Sequence, residues 1–416
     1  MKYRLGLAAV LALALALRLR LLTTDIYLDE AWYFYLARGA TPLDEPLMAG
    51  PRVMDPFLHF MARPLTYLVF WPAAQLGLTA VRLQNVLLGC AVVGMVAHIC
   101  RAWGLKPPYA LFAALLCAVN PPLVLWSTYF FPDTLGVLLV LSGLLAFVRE
   151  RPRLCALSLS GAILAKEVFL ASWIAALLGS PRNRWLLLAP FPYALLYAYV
   201  FVYRGMPGQG WAGAPPLDYG FARSAGFDVV GAGLTVALLF TPGWRVALWG
   251  LALPVLFGVR ELAFTPGVKL WFAVDCRPQL AITLAGGLQR VPKALALVLA
   301  AVSLWSSLTF ERPERSRAER LTHDLRELTA QLEARKPQQL LLVGVTWQAP
   351  AYPFSDLVPR VEAAEEGDAP RLQSLLPRSE YVLVEHSGPR RFVPFEPLVE
   401  LVFMNGTYQL YRVKAP

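Results

Sequence analysis

The stretch Thr134-Leu-Gly-Val-Leu-Leu-Val-Leu-Ser-Gly-Leu-Leu-Ala-Phe-Val148 contains no charged side chain, and charges stand at both of its ends. Asp133 precedes it, and the run Arg149-Glu-Arg follows it. An uncharged apolar run of this length predicts a helix that crosses a bilayer, because only a helix satisfies its own backbone hydrogen bonds in lipid. The arginines after the run predict that this end faces the cytoplasm.

Similar apolar runs recur through residues 1–310, and they indicate that the membrane is the solvent of this chain. The sequence is 57% apolar and 16% charged, whereas soluble domains carry roughly 25% charged residues. The first run has the charged start of a signal peptide but no small-residue cleavage site follows, so it is counted as a span. We predict eleven spans, approximately at residues 5–22, 80–100, 108–126, 134–148, 154–165, 168–180, 185–203, 228–242, 244–259, 278–289 and 293–310.

Basic residues predict the orientation of these spans. With Lys2 and Arg4 inside, every basic loop cluster falls on the same side of the membrane, as the positive-inside rule requires. These clusters are Arg101 and Lys106, then Arg149, Arg151 and Arg153, then Arg182 and Arg184, then Arg245, then Arg290 and Lys293. The formal charge of +10 is therefore a topology signal, and no nucleic acid partner is expected. The amino terminus is predicted to be cytoplasmic, with a cell membrane as the site.

The composition changes after Phe310, which predicts a second domain over residues 311–416 outside the membrane. An amphipathic helix is expected at residues 314–335, where leucines recur at three- and four-residue spacing. Strands are expected at residues 339–345, 381–385, 398–404 and 408–413, and Asn405-Gly406 predicts a hairpin between the last two. The sequence Asn405-Gly406-Thr407 also reads as a glycosylation acceptor, but the turn explains both flanks. The predicted fold class is a polytopic α-helical membrane protein with a small C-terminal α/β domain.

The first external loop, residues 23–79, carries the most informative residues of the transmembrane domain. Asp29 and Glu30 directly precede the aromatic residues Trp32 and Tyr33. A carboxylate at the rim of a bilayer beside aromatic rings suits the deprotonation of a hydroxyl while a sugar stacks nearby. The alternative is structural, because acidic residues also cap helix amino termini.

This spacing resembles the GT-C glycosyltransferases, in particular the group of protein O-mannosyltransferases and the lipid A aminoarabinose transferase. Their first external loop carries Asp-Glu-x-x-Tyr-x-x-x-Ala, and this chain has Asp29, Glu30, Tyr33 and Ala37 at that spacing. Further short motifs continue the likeness in order: Arg63-Pro64-Leu65-Thr66-Tyr67, Arg82-Leu83, Asn120-Pro121 followed by Asp133, Ala165-Lys166, and Arg277-Pro278. The chain departs from the group at Arg63, where a Pro is usual, and at Pro278, which replaces a Tyr.

The resemblance implies an inverting transfer of a sugar from a polyprenyl-phosphate donor to an acceptor hydroxyl of a protein, lipid or glycan. It implies Asp29 as general base, with Glu30 and Asp133 beside it. It also implies aromatic contacts to sugar or acceptor from Trp32, Tyr33 and Tyr67. A phosphate leaving group needs cations, and Arg63, Lys166 and Arg277 are predicted at the outer ends of spans. Their alternative is snorkelling or pairing with nearby acids such as Glu167 and Asp275.

A divalent metal is a further expectation, because some members of the group use one. His59 and Asp55 lie in the same external loop as Asp29 and are the candidate ligands. The alternative is a packed histidine between Phe57 and Phe60 on an interfacial helix.

Two other functions remain open at this point. A transporter or flippase for a lipid-linked saccharide would also carry ionisable residues in its membrane domain, but transporters usually show repeated halves and charges deep within their spans. A catalytically silent protein with the same architecture is the other alternative, and the departures at Arg63 and Pro278 leave it open.

Overall fold

The computed structural model describes residues 2–22, 30–38, 63–180, 182–204, 225–252, 271–309, 312–343, 358, 360–364, 369–385, 398–406 and 408–414. The chain divides into two compact units. The first comprises Met1–Leu22, Phe60–Gly205 and Gly213–Arg312, and the second comprises Thr23–His59, Met206–Ala212 and Pro313–Pro416.

Helices make up the described part of the first unit, and they are numbered along the whole chain. They are α1 (Lys2–Leu19), α2 (Glu30–Arg38, in the second unit), α3 (Pro64–Gln75), α4 (Leu78–Ala102), α5 (Pro107–Val119), α6 (Pro121–Trp126), α7 (Asp133–Val148), α8 (Pro152–Ala165), α9 (Leu170–Gly179), α10 (Phe191–Arg204), α11 (Ala225–Leu239), α12 (244–252), α13 (Trp271–Leu288) and α14 (Lys293–Thr309). Short 3₁₀ turns cover Glu167–Phe169 and Arg184–Leu188.

Proline sets the start of four of these helices. Pro64, Pro107, Pro121 and Pro152 each stand at the first helical position, where the missing amide proton costs nothing and the fixed φ suits a helix. Small residues then allow close packing. Gly136 of α7 lies against Phe169, where a Cβ would stand 2.0 Å from Cε2 of the ring.

Two predicted spans differ from the helices observed. The predicted span 108–126 is divided at Asn120, whose extended backbone ends α5 before α6 begins. The two prolines that follow Asn120 explain the break, because a residue before proline is disfavoured in the helical region. The predicted span 278–289 starts too late, because α13 begins at Trp271 and holds Pro278 inside it. Arg277 therefore lies within a helix and not in a loop.

One described helix, α4, is long and apolar enough to cross a membrane by length and composition. Six more apolar helical segments of the described chain are shorter, at 10–17 residues. The number of eleven spans stays a prediction.

The second unit contains a five-stranded mixed sheet. Its strands are β1 (Gln339–Val343), β2 (Arg360–Ala364), β3 (Tyr381–Glu385), β4 (Val399–Met404) and β5 (Tyr408–Val413), in the order β2-β1-β3-β5-β4. β1 pairs in parallel with β2 and β3, and β5 pairs antiparallel with β3 and β4. Two helices of this unit follow α14 in the chain, α15 (Arg312–Arg335) and α16 (Ala369–Leu375).

The core of the sheet and its hairpin follow from the sequence pattern. Alternate residues of the strands, among them Leu341, Val343 and Val382, form a buried cluster with Leu372 and Leu376 from the α16 region. The hairpin predicted at Asn405-Gly406 is confirmed, since β4 and β5 pair across it. The helix predicted at residues 314–335 is likewise confirmed as α15, and β2 was not predicted.

Candidate active site

A fully buried segment, which includes the short helix α6, joins α5 to α7 in the first unit. All eighteen residues from 120 to 137 are buried, although a link between two membrane spans is normally solvated. We call residues 120–133 the buried connection. Asn120 begins it and Asp133 ends it, so its two ends carry polar side chains that the sequence analysis had marked.

Lys166 and Asp133 form a buried ion pair at one end of this connection. Lys166 Nζ donates to Asp133 Oδ1, and the two side chains are 5% and 4% exposed. Lys166 has an extended backbone between α8 and the 3₁₀ turn, which aims its side chain away from the helix axis. Glu167, one of the acids named as alternative partners for the predicted cations, pairs with Arg63.

Arg63 lies beside the same turn. Its Nε stands 3.6 Å from Glu167 Oε2, and Thr66 Oγ1 donates to Ala165 O at 3.0 Å. These contacts fix the start of α3 against the end of α8. Three residues predicted for the site, Arg63, Lys166 and Asp133, are therefore brought together.

Tyr67 follows Arg63 by one helical turn and is buried at 1% exposure. The next residues of α3 reach the buried connection, because the rings of Phe70 and Phe130 lie 4.6 Å apart between centroids. Helix α3 thus links the predicted aromatic residue to the connection.

Arg277 lies at the other end of the connection. Its Nη1 donates to Asn120 Oδ1 at 3.1 Å, and the side chain is fully buried. Helix α13 carries Arg277 one residue before Pro278. The buried connection therefore has a cation at each end, Arg277 at Asn120 and Lys166 at Asp133.

Two more buried arginines contact the middle of the connection, and the sequence analysis assigned neither to the site. The Arg82 guanidinium lies 4.9 Å from the ring centroid of Tyr129. Arg18 Nε donates to Ser127 Oγ at 2.7 Å. Gly89 of α4 permits this approach, because a Cβ there would stand 2.4 Å from Ser127 Cβ. The available signal was their position inside predicted spans, where an ionisable residue marks function by default.

The electrostatic character of the connection follows from this arrangement. Within the described part of the chain, Arg18, Arg82 and Arg277 are buried cations that contact the connection, and Lys166 pairs with Asp133, a residue of the connection itself. Buried charges are costly unless they are paired or serve a ligand of opposite sign. The arrangement can stabilise an anion such as a phosphate group.

The predicted site residues between Thr23 and His59 belong to the second unit. Asp29, Asp55 and His59 lie outside the described residues. Glu30 begins α2 and is buried, and Tyr33 is buried on the same helix. Trp32 also lies in α2. The structure therefore does not test the predicted base or the predicted metal pair.

One group of potential metal ligands occurs among the described residues, and it contains none of the predicted ones. His323, Asp324 and Glu327 of α15 offer ligand atoms within 4.8 Å of one another. His323 is exposed, and its Nδ1 lies 3.7 Å from Glu327 Oε1. His323 and Glu327 are exposed, whereas Asp324 is partly buried.

The structure is similar over nearly its whole length to two crystal structures of ArnT, a lipid A aminoarabinose transferase, from Cupriavidus metallidurans. One is bound to undecaprenyl phosphate, with 14% identity, and one is in the apo state, with 15% identity. Each has a TM-score of 0.60 and covers 98% of this chain and 97% of that chain.

A second similar protein is the arabinofuranosyltransferase AftD from Mycobacteria, with a TM-score of 0.52 and 17% identity. The match covers 99% of this chain and 42% of that chain. The sequence matches no family model and no curated protein. Both similar proteins are GT-C glycosyltransferases, so the resemblance drawn from the sequence motifs is confirmed at the level of the fold. The chain shares the helical architecture of these two membrane proteins.

Proposed function

We propose that this protein is an integral membrane glycosyltransferase that moves a sugar from a polyprenyl-phosphate donor to an acceptor hydroxyl. The observation that carries the proposal is the buried connection with Lys166 and Arg277 at its two ends. The ArnT structure bound to undecaprenyl phosphate supports a lipid phosphate as the anion. Because the fold is shared at low sequence identity, the catalytic roles are argued from the residues of this chain and not from those of ArnT.

The cations act on the leaving group. Transfer breaks the bond between C1 of the sugar and the phosphate oxygen, and the lipid phosphate leaves with an added negative charge. Guanidinium and ammonium groups held in place before the reaction stabilise this charge without reorganisation. In this role Arg277 and Lys166 contact the phosphate, and Asn120 orients Arg277 through the 3.1 Å hydrogen bond. Asp133 orients Lys166 in the same way.

Asp29 acts on the acceptor. Its carboxylate takes the proton of the acceptor hydroxyl while the acceptor oxygen bonds to C1 from the face opposite the phosphate, which inverts the configuration at C1. Glu30 stays near the base, and Trp32, Tyr33 and Tyr67 offer rings on which sugar and acceptor stack. Arg63 is a third contact for the donor phosphate. These roles rest on the motif spacing in the sequence.

The face of the membrane and the metal are further parts of the proposal. The charge pattern favours reaction at the extracytoplasmic face, with residues 311–416 on that side. A divalent metal at Asp55 and His59 is an additional expectation, and none of the roles above depends on it. The acceptor is a hydroxyl of a protein, lipid or glycan.

The test is transfer of radiolabelled sugar by the purified protein in liposomes. A panel of polyprenyl-phosphate sugars serves as donors, and wild type is compared with Asp29→Asn. We expect transfer from at least one donor by wild type and a loss of about 10²–10⁴-fold in the variant, which is the usual contribution of a general base. Asp218→Asn, in another predicted external loop, is the matched control and keeps the activity.

Two outcomes of this assay would contradict parts of the proposal. No transfer from any donor, together with movement of a saccharide lipid across the liposome bilayer, would establish a transporter instead. Full activity of Asp29→Asn would retain the enzyme and remove the assigned base.

A further inference from the structure

Twelve exposed basic residues lie at helix ends of the first unit, far in sequence from one another. We call them the basic rim. They are Lys2, Arg4, Arg101, Lys106, Arg149, Arg151, Arg153, Arg182, Arg184, Arg245, Arg290 and Lys293. The only acidic residue in the same loops is Glu150. This excess of positive charge predicts an anionic partner.

Contacts within the structure place these loops together. Lys106 donates its backbone N–H to Gln289 Oε1 at 2.7 Å, which joins the loops after α4 and α13. The turn before α12 reaches the same place, because a Cβ on Gly243 would lie 3.1 Å from Trp103 and 3.5 Å from Arg290. Three loops therefore meet around Trp103.

The remaining loops join this group through other contacts. Arg149 Nη2 lies 2.6 Å from His98 Nε2, which brings the end of α7 to the last turns of α4. A Cβ on Gly179 would lie 2.9 Å from Phe147 and 3.8 Å from Arg245 Cβ, so the ends of α9 and α7 meet the start of α12. The basic loops thus share one face, as the charge pattern predicted, and the face is continuous.

Four arginines of the rim lie over aromatic rings. The distances from guanidinium carbon to ring centroid are 5.8 Å for Arg101 over Tyr3, 4.8 Å for Arg153 over Trp185, 5.6 Å for Arg245 over Trp244 and 5.4 Å for Arg290 over Trp103. Within the described residues no carboxylate forms an ion pair with any member of the rim. A guanidinium that lies on a ring keeps its N–H groups available for a phosphate.

Large apolar side chains are exposed beside these cations. Leu187 and Leu188 are 61% and 57% exposed next to Trp185, and Phe240 is 87% exposed just before the turn that leads to Arg245. A soluble acidic protein would leave such surfaces in water, whereas a phospholipid covers them with acyl chains and meets the cations with its phosphate. Tryptophan side chains are also enriched at the level of the lipid headgroups.

We propose that the basic rim binds anionic phospholipids through their phosphate headgroups, with Arg153 and Arg245 among the binding residues. The surface lies on the predicted cytoplasmic side, away from the predicted reaction face. The proposal therefore requires that the chain is embedded in a membrane, but it does not depend on sugar transfer. Each cation near an anionic headgroup strengthens binding by about fivefold.

The test is native mass spectrometry of the purified full-length protein with phosphatidylglycerol or with phosphatidylcholine of the same acyl chains. Wild type is compared with the pair Arg153→Gln and Arg245→Gln, and with the control pair Arg378→Gln and Arg412→Gln, two exposed cations of the second unit. We expect wild type to retain phosphatidylglycerol in preference. We expect the rim pair to lose about twentyfold in affinity and the control pair to bind like wild type.

Equal retention of the two lipids by wild type would overturn the proposal, as would unchanged binding in the rim pair or an equal loss in the control pair. If the rim pair does not fold, the salt dependence of wild-type binding decides the question. Headgroup contacts predict that phosphatidylglycerol dissociates between 0.1 and 0.5 M salt while phosphatidylcholine does not, because salt screens exposed charges. Salt-independent retention of phosphatidylglycerol would contradict the proposal.

Discussion

Breaking the ion pair between Lys166 and Asp133 is expected to destabilise the first unit strongly. Both side chains are almost completely buried, at 5% and 4% exposure. Lys166→Met leaves the Asp133 carboxylate in the interior without its ammonium partner, and Asp133→Asn leaves the ammonium. Removal of one partner of a buried ion pair costs about 3–5 kcal/mol, mainly because a charge stays behind in a medium of low polarity.

The double variant Lys166→Met with Asp133→Asn removes both charges together. It is expected to cost less than the sum of the single variants by at least about 2 kcal/mol, since neither buried charge is left alone. Thermal unfolding in nanodiscs measures the three variants. For a cooperative unit of about 270 residues, 3–5 kcal/mol corresponds to a melting temperature lower by roughly 5–9 °C.

The control lies one residue away. Glu167 faces Arg63 at 3.6 Å and its side chain is 38% exposed, so Glu167→Gln should cost less than either single variant of the fully buried pair. Additive effects of Lys166→Met and Asp133→Asn, or a cost no larger than that of Glu167→Gln, would refute the reasoning that this pair is buried and coupled.

Two further predictions concern packing in each unit. Gly136→Ala should lower stability by about 1–3 kcal/mol, since its Cβ would stand 2.0 Å from the buried ring of Phe169, whereas Gly233→Ala has nothing within 4 Å and should be neutral or stabilising by up to about 1 kcal/mol. Thermal unfolding compares the two, and equal effects would contradict the packing of α7 on Phe169. Asn405→Ala removes a side-chain hydrogen bond of 2.8 Å to Asp324 O and should destabilise the β4–β5 hairpin by about 1–2 kcal/mol. Hydrogen exchange of the hairpin amides in the intact protein measures this, and unchanged protection would exclude it.

Sequence patterns were sufficient to predict the elements that depend on residues close together in the chain. The uncharged run of α7, the leucine spacing of α15 and the Asn405-Gly406 turn each depend on residues close in the chain. Strand β2 was missed because its sequence, Arg-Val-Glu-Ala-Ala, is short and polar. Its place at the edge of the sheet comes from parallel pairing with β1, which no local pattern encodes.

The sequence predicted which residues belong to the candidate site, but it did not predict which of them pair with each other. The motif spacing marked Arg63, Asp133, Lys166 and Arg277, and each of them is buried near an end of the buried connection or beside it. Asp133, the partner of Lys166, lies 33 positions earlier in the chain, and Glu167, the acid next to Lys166, pairs with Arg63. Tertiary packing decides which acid a lysine meets.

Arg18 is a second cation whose partners could not be predicted from the sequence. It lies in the last turn of α1, within the predicted span 5–22, and it was not among the predicted site residues. The structure gives it hydrogen bonds to Ser127 Oγ and to the carbonyl oxygens of Ala14 and Ala118. Charge patterns in the sequence do not reveal contacts to hydroxyl and carbonyl groups. These hydrogen bonds could therefore be identified only from the structure.

The central claim is that the cations at the ends of the buried connection hold the phosphate of a lipid-linked donor. The most direct measurement is the affinity of undecaprenyl phosphate for purified wild type, for Arg277→Gln, and for Arg378→Gln as the exposed control. Loss of one charged hydrogen bond of about 1.5–3 kcal/mol predicts a Kd raised roughly 10–100-fold in Arg277→Gln, with the control unchanged. An Arg277→Gln protein that melts like wild type and binds undecaprenyl phosphate with the same Kd would contradict the claim.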